Sequence, residues 1–203
     1  MDKLLLVRKQ TEYKKQVVYD RIFIGFVLIV LAFFFFLTQF WISISVVQMN
    51  SMANTLKPND KLITDRLATP KRGDIIVFNY SETTSYIKRV IAVENQTVFN
   101  DKQGNVYLEY LDKNGKTITQ KLSEPYVKNS LPTYKHLSDK FIDDENSLFR
   151  VEVKEGQLFV MGDNRLVSID SRDFGCISID QVTGVVHEFW VQNKDLVGKI
   201  FKG

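Results

Sequence analysis

A single cysteine, Cys176, leaves this 203-residue chain no partner for an intrachain disulfide and no thiolate cluster for a metal. Histidine is nearly as scarce. His136 and His187 are the only two, and His187-Glu188 lacks the second histidine of a zinc-peptidase helix. No Gly-x-Ser-x-Gly elbow and no phosphate-cradling glycine loop is present. The Asp-, Asn- and Ser-rich stretch Gly162–Arg172 superficially resembles a calcium loop, but the central glycine and terminal glutamate of such a loop are missing. A charge bias is missing too. The net charge of +3 belongs to residues 1–21, which hold six basic and three acidic side chains; the remainder balances at twenty-one of each. That leaves no electrostatic footprint for nucleic acid. No metal and no cofactor is expected.

Charge is also absent from Ile22 to Ile42, a run of Ile, Phe, Val, Leu and Ala broken only by Gly25, Thr38 and Gln39 before Trp41. A helix of that length covers roughly 30 Å, the thickness of a bilayer's hydrocarbon core. A buried core helix would show a polar face, and none can be drawn. The run is too long for an export-signal core, and no Ala-x-Ala cleavage motif follows Trp41. The expectation is a single-pass anchor in the cell membrane. The basic flank keeps residues 1–21 cytoplasmic, residues 22–42 span, and residues 43–203 lie outside.

The outer part reads as strands. Lys61–Thr64, Asp74–Asn79, Tyr86–Val93, Val106–Leu111, Thr117–Leu122, Phe149–Val153, Gln157–Met161 and Val182–Trp190 are rich in β-branched and aromatic residues. Asn114-Gly115 between two alternating flanks predicts a β-hairpin. Ser43–Asn50 reads as a connector, and Ser138–Ser147 as an exposed acidic loop. With no long amphipathic helix in competition, the fold class expected is mainly β: an antiparallel, partly closed sheet domain behind one transmembrane helix.

Without a histidine motif, lysine is the base to consider. Its ordinary pKa near 10.4 leaves about one in a thousand or fewer neutral at pH 7, and apolar burial lowers that value. On a strand, Lys88 shares a face with Tyr86, Val90 and Ala92, while Arg89 faces away and cannot deprotonate. Taken alone, Lys88 reads better as an ordinary solvated strand lysine than as a base.

Four segments in order change the weighing: Ser51-Met52-Ala53-Asn54-Thr55-Leu56, Arg72-Gly73-Asp74-Ile75-Ile76-Val77-Phe78, Tyr86-Ile87-Lys88-Arg89-Val90-Ile91, and the stretch Gly162–Arg172. Together, behind an N-terminal anchor, they resemble the type I signal peptidases, membrane-bound serine peptidases that remove signal peptides from exported proteins, and within them a divergent bacterial member of Gram-positive type. The resemblance implies Ser51 as nucleophile and Lys88 as general base. Ser168 would hydrogen-bond the Lys88 amine, Asp170 and Arg172 would pair to hold the last segment, and Asp163 would support it. Tyr86 and Met52 would line the substrate pocket, with small residues required one and three positions before the cut. Partners would be signal-peptide-bearing precursors and the lipid bilayer. Residues 97–156 would be a variable β insert.

Departures from the family pattern are equally specific. Asn54 stands where proline is usual, and Met49 where a serine or glycine two before the nucleophile is usual. Ala92-Val93-Glu94-Asn95-Gln96 replaces a Gly-x-Pro-Gly-Asp turn, and Cys176 replaces a bulky apolar residue. They suggest a specialised enzyme serving a narrow set of surface proteins. The rival they motivate is a catalytically weak member acting as a binding or assembly factor.

Overall fold

The computed structural model describes residues 2–128 and 149–200, and the chain divides into two compact units, Met1–Ile42 and Ser43–Gly203. The acidic loop expected at Ser138–Ser147 lies outside the described residues. In the first unit, helix α1 (Asp2–Phe36) runs on through a π-helical turn, Leu37–Trp41. Phe23, Phe26, Ile29 and Phe34 are all exposed, so among the described residues nothing covers the faces they lie on. Over Arg8–Trp41 it is long and apolar enough to cross a membrane. The helix also includes the basic flank, so residues 8–21 are a continuation of the same rod.

The second unit is antiparallel β. Its strands are β1 (Ile42–Val46), β2 (Lys61–Asp65), β3 (Ile75–Asn79), β4 (Ser85–Val93), β5 (Gln96–Asn100), β6 (Val106–Leu111), β7 (Thr117–Lys121), β8 (Arg150–Val153), β9 (Gln157–Met161), β10 (Ile177–Ser178) and β11 (Val182–Val186). They form a seven-stranded sheet in the order β1-β2-β11-β3-β4-β9-β10 and a four-stranded sheet in the order β7-β6-β5-β8. The mainly β class is the expected one. Ile75–Phe78 and Leu158–Met161 are buried at every position, because both faces of the large sheet are covered. Leu56, Leu62 and Val77 pack on one side of it, and Phe78, Val90 and Val160 on the other.

Several expectations are refined. The β6–β7 hairpin forms, but its connection is five residues long. Asp112 Oδ1 accepts from the N–H groups of Asn114 and Lys116 at 2.8 and 2.9 Å, and only Gly115 has positive φ. The connector Ser43–Asn50 contributes β1, an edge strand. The strand expected over Val182–Trp190 stops at Val186, and helices α3 (Glu188–Gln192) and α4 (Lys194–Ile200) follow. Phe189 and Trp190 are aromatic and so mimic a strand, but Trp190 packs from a helix onto Leu62 and its neighbours. The rebuilt turn after β4 is where the chain leaves one sheet for the other. Asn95 takes φ 62°, a conformation asparagine tolerates, and Glu94 Oε2 receives the returning Gly156 N–H at 2.8 Å.

Candidate active site

Ser51 lies on a single 3₁₀ turn, Asn50–Met52, following the extended Met49, and its side chain is buried. Lys88 lies on β4 opposite Ile76, only 1 % exposed. The two meet, with Lys88 Nζ donating to Ser51 Oγ at 2.9 Å. Nζ also donates to the Ile87 carbonyl at 3.2 Å and sits 4.8 Å from the centre of the Tyr86 ring. Burial lowers the Lys88 pKa from 10.5 to about 8; nearby Asp170 opposes that fall and Arg172 assists it. A neutral amine beside a serine hydroxyl is a general base beside its nucleophile.

That burial makes Lys88 a cost to the fold. In the unfolded chain it holds its proton up to its ordinary value, so stability rises with pH between about 8 and 10.5 and the full penalty is present at neutral pH. A shift of this size corresponds to roughly 3 kcal/mol. Lys88→Met, of similar length and without charge, is therefore expected to raise the denaturation midpoint at pH 7 by roughly 1–3 kcal/mol equivalent while abolishing activity. An unchanged midpoint would show that the amine is solvated.

The nucleophile loop is tied to the segment after β9 at several points. Ser51 O accepts from Asn164 N at 2.9 Å, and Asn50 O from Asn164 Nδ2 at 3.1 Å. Thr55 Oγ1 donates to Asp163 Oδ2 at 2.5 Å, and Asp163 N donates to Met52 Sδ at 3.4 Å. Asn54, at the position where the family pattern has proline, donates from Nδ2 to Asp163 O at 2.8 Å. A lost φ constraint is thus replaced by a long-range tether. Met52 is fully buried, supporting this loop from inside, and it lies on the wall of an opening of about 700 Å³ beside Ser51.

Asp163 is the hub. Arg89, on the strand face opposite Lys88, grips its carboxylate with Nε and Nη2 at 2.8 and 2.6 Å, and reaches Gly73 O at 2.7 Å. Asp170 caps α2 (Ser171–Phe174) and pairs with Arg172, whose Nε and Nη2 lie 2.8 and 2.9 Å from its two oxygens. Burial alone would raise the Asp170 pKa, but Arg172 and the Gly162 N–H hold it below the usual carboxylate value. Ser168 is buried nearby, close enough to Asp170 to help hold that carboxylate down, and among the described residues its Oγ makes no bond to Lys88. Gly162, Asn164 and Arg89 carry structural work that sequence reasoning gave to none of them. The one available signal was the glycine directly after β9, where a side chain would strike both Ser168 and Ser51.

A pocket of about 230 Å³ opens beside the dyad, walled by Met49, Tyr86, Val167 and Ile169. Tyr86 is braced from behind by Tyr80 and Phe174, ring centres 5.1 and 6.5 Å away. Among the described residues no group of His, Cys, Asp and Glu could hold a metal.

The family profile described as signal peptidase, peptidase S26 matches residues 21–191. The chain belongs to that family. It is 35 % identical over 154 residues to a signal peptidase I of Bacillus caldolyticus, covering 71 % of this chain and 78 % of that one. With signal peptidase IB of Staphylococcus aureus it shares 30 % over 172 residues, covering 77 % and 82 %. A signal peptidase I crystal structure from Enterococcus faecalis V583 aligns at 29 % identity over 59 % of this chain and 98 % of that chain, with a TM-score of 0.42. In this S26 member Cys176 is half-buried against the core of the smaller sheet, and burial pushes its thiol up to about 11. That is a packing residue, as its position suggested.

Proposed function

We propose that the protein is a serine endopeptidase that removes signal peptides from exported precursors at the outer face of the cell membrane. The observation that carries the mechanism is the 2.9 Å contact between buried Lys88 Nζ and Ser51 Oγ. Neutral Lys88 takes the Ser51 proton as Oγ attacks the scissile carbonyl, then gives it to the leaving amine. Lys88 next activates a water against the acyl-enzyme. The Ser51 N–H is available to the developing oxyanion. Asp163, Asp170 and Arg172 fix the surrounding backbone, Ser168 stands beside the dyad to orient the Lys88 amine, and Tyr86 lines the pocket for the residue before the cut.

The binding-factor alternative is not supported. The relatives are named as signal peptidases, and the departure at Asn54 restores a contact rather than disabling the loop. Incubating the detergent-purified full chain with an exported precursor is expected to yield a single cut for wild type and none for Ser51→Ala. Cleavage by the alanine variant would overturn the assignment of the nucleophile.

Sidedness belongs to the same reading: residues 1–21 inside, residues 22–42 spanning, Ser43 onward outside, as the charge asymmetry supports. External protease on wall-free cells is expected to remove a C-terminal tag and spare one at the N-terminus. The reverse pattern would invert the topology.

A further inference from the structure

Ser51 rides on a loop that closes on itself at its base. Val47 N donates to Asp60 O at 2.9 Å, and Asn59 N donates to Val47 O at 2.7 Å. Inside the loop the Thr55 and Leu56 N–H groups both reach Met52 O, at 2.8 and 2.7 Å. The Thr55 hydroxyl is held by Asp163, but the Thr55 carbonyl is held from another direction in the sequence. Lys194 Nζ, on α4, donates to it at 2.8 Å and lies 2.8 Å from Asp60 Oδ2. That same Asp60 oxygen accepts from Lys57 N at 2.7 Å. One ammonium, 139 residues beyond Thr55, thus joins the downstream limb of the nucleophile loop to its base.

The place of Lys194 is itself fixed. Trp190 and Val191 of α3 pack against Val47, Met52, Leu56 and Leu62, and Val197 of α4 is fully buried. Asn193, between the two helices, bonds back to Phe189 O through its N and Nδ2, at 3.0 and 2.8 Å. The Lys194 and Asp60 side chains are only 22 and 18 % exposed, so the pair is sheltered rather than fully solvated. Charge-assisted bonds of this kind are the stronger ones. Lys194 makes no hydrogen bond to Ser51 or Lys88, and it lines neither opening beside the dyad.

We propose that Lys194 is a positioning residue for catalysis, bracing the downstream limb of the loop so that Ser51 Oγ stays within reach of the Lys88 amine. The inference rests on the signal-peptidase reading above. Without the ammonium, the Thr55 carbonyl and the Asp60 carboxylate lose their shared donor, and the limb between them can move. The bonds to Asp163 and Asn164 still hold the rest of the loop. A 1 Å displacement of a reacting group costs about 10² in rate, so slackening on one side is expected to cost about tenfold. Because Lys194 stands clear of both openings, the loss falls on kcat and leaves KM unchanged.

The test is steady-state cleavage of a precursor-derived peptide by the full chain in detergent, with urea unfolding followed in parallel. Lys194→Met keeps the stem and removes the donor, and kcat is expected to fall about tenfold at unchanged KM. Lys194→Arg, a cation that can still bridge a carbonyl and a carboxylate, should recover most of that loss. Lys199→Met, at an exposed lysine of the same helix, should match wild type. Should Lys194→Met be partly unfolded in the assay, Asp60→Asn decides. It keeps an acceptor for Lys57 N and removes only the charge, with an expected kcat loss of about threefold. Unchanged kcat in a folded Lys194→Met or in Asp60→Asn, a loss carried by KM, no recovery by arginine, or an equal loss in Lys199→Met overturns the proposal. A wild type that cleaves no peptide, or cleavage that survives Ser51→Ala, instead defeats the peptidase reading beneath it.

Discussion

Lys88→Arg is expected to lower kcat by about 10³-fold while leaving the protein folded and membrane-inserted. A positioned general base contributes about 10²–10⁴. Arginine keeps the charge and most of the reach, yet its guanidinium does not give up its proton in a protein. If Lys88 served only as a cation near Ser51, arginine would replace it. The wild-type pH profile is an independent check. With a pKa of about 8, roughly one enzyme in ten holds a neutral Lys88 at pH 7; at the ordinary value of 10.5 it would be about one in three thousand. Activity should therefore rise with pH along a limb centred near about 8 and level off above it. A limb centred near 10.5, or near-normal cleavage by Lys88→Arg, would remove the lysine from the mechanism.

Gly162→Ala is expected to be almost as damaging, although the residue touches no substrate. A Cβ at Gly162 would lie 2.2 Å from Ser168 Oγ, 2.6 Å from Ser168 Cβ and 2.5 Å from the Ser51 carbonyl oxygen. No flexible side-chain end can swing aside, since one obstacle is the nucleophile's own peptide. Overpacking of this kind costs about 1–3 kcal/mol, and a 1 Å displacement of a reacting group costs about 10² in rate. We expect kcat to fall about 100-fold with a lowered urea midpoint. Gly198 is the matched control: on α4, its added Cβ meets nothing within 4 Å, so Gly198→Ala should leave kcat unchanged and slightly raise stability. Equal effects at the two glycines would refute the steric account.

How much of this could be read from the chain varied with the range of the interaction. The central strands were legible because Ile75–Phe78, Tyr86–Val93 and Gln157–Met161 are apolar and β-branched along their own length. The dyad was legible because Ser51 and Lys88 sit in spaced local segments. β5 was not, since its start at Gln96 depends on Asn95 turning the chain and on Val153 and Gly156 receiving it. The short α3 and α4 were hidden by Phe189 and Trp190, which suit a strand as well as a helix. Asn54 was the most misleading position. Locally it is only a missing proline, and its compensating bond reaches a carbonyl 109 residues away. Ser168 is the opposite case: its place beside the dyad was legible, while the bond it was expected to make is absent.

Arg165 is 1 % exposed, and the carboxylate that answers its charge comes from Glu124, on the segment that follows β7. One bond runs from Nη1 to Glu124 Oε2 at 3.1 Å and a second joins Nη2 to Oε1, while Arg165 Nε holds Gly162 O at 3.1 Å. Two residues along, the Tyr126 ring lies 4.0 Å from the Arg89 guanidinium that grips Asp163. The segment that follows β7 thus supplies a counter-ion to the loop that follows β9. Losing Glu124 alone would leave a buried cation, whereas losing both partners would remove cation and need together. Positions 124 and 165 are therefore energetically coupled: a change at either is costly while the other is kept.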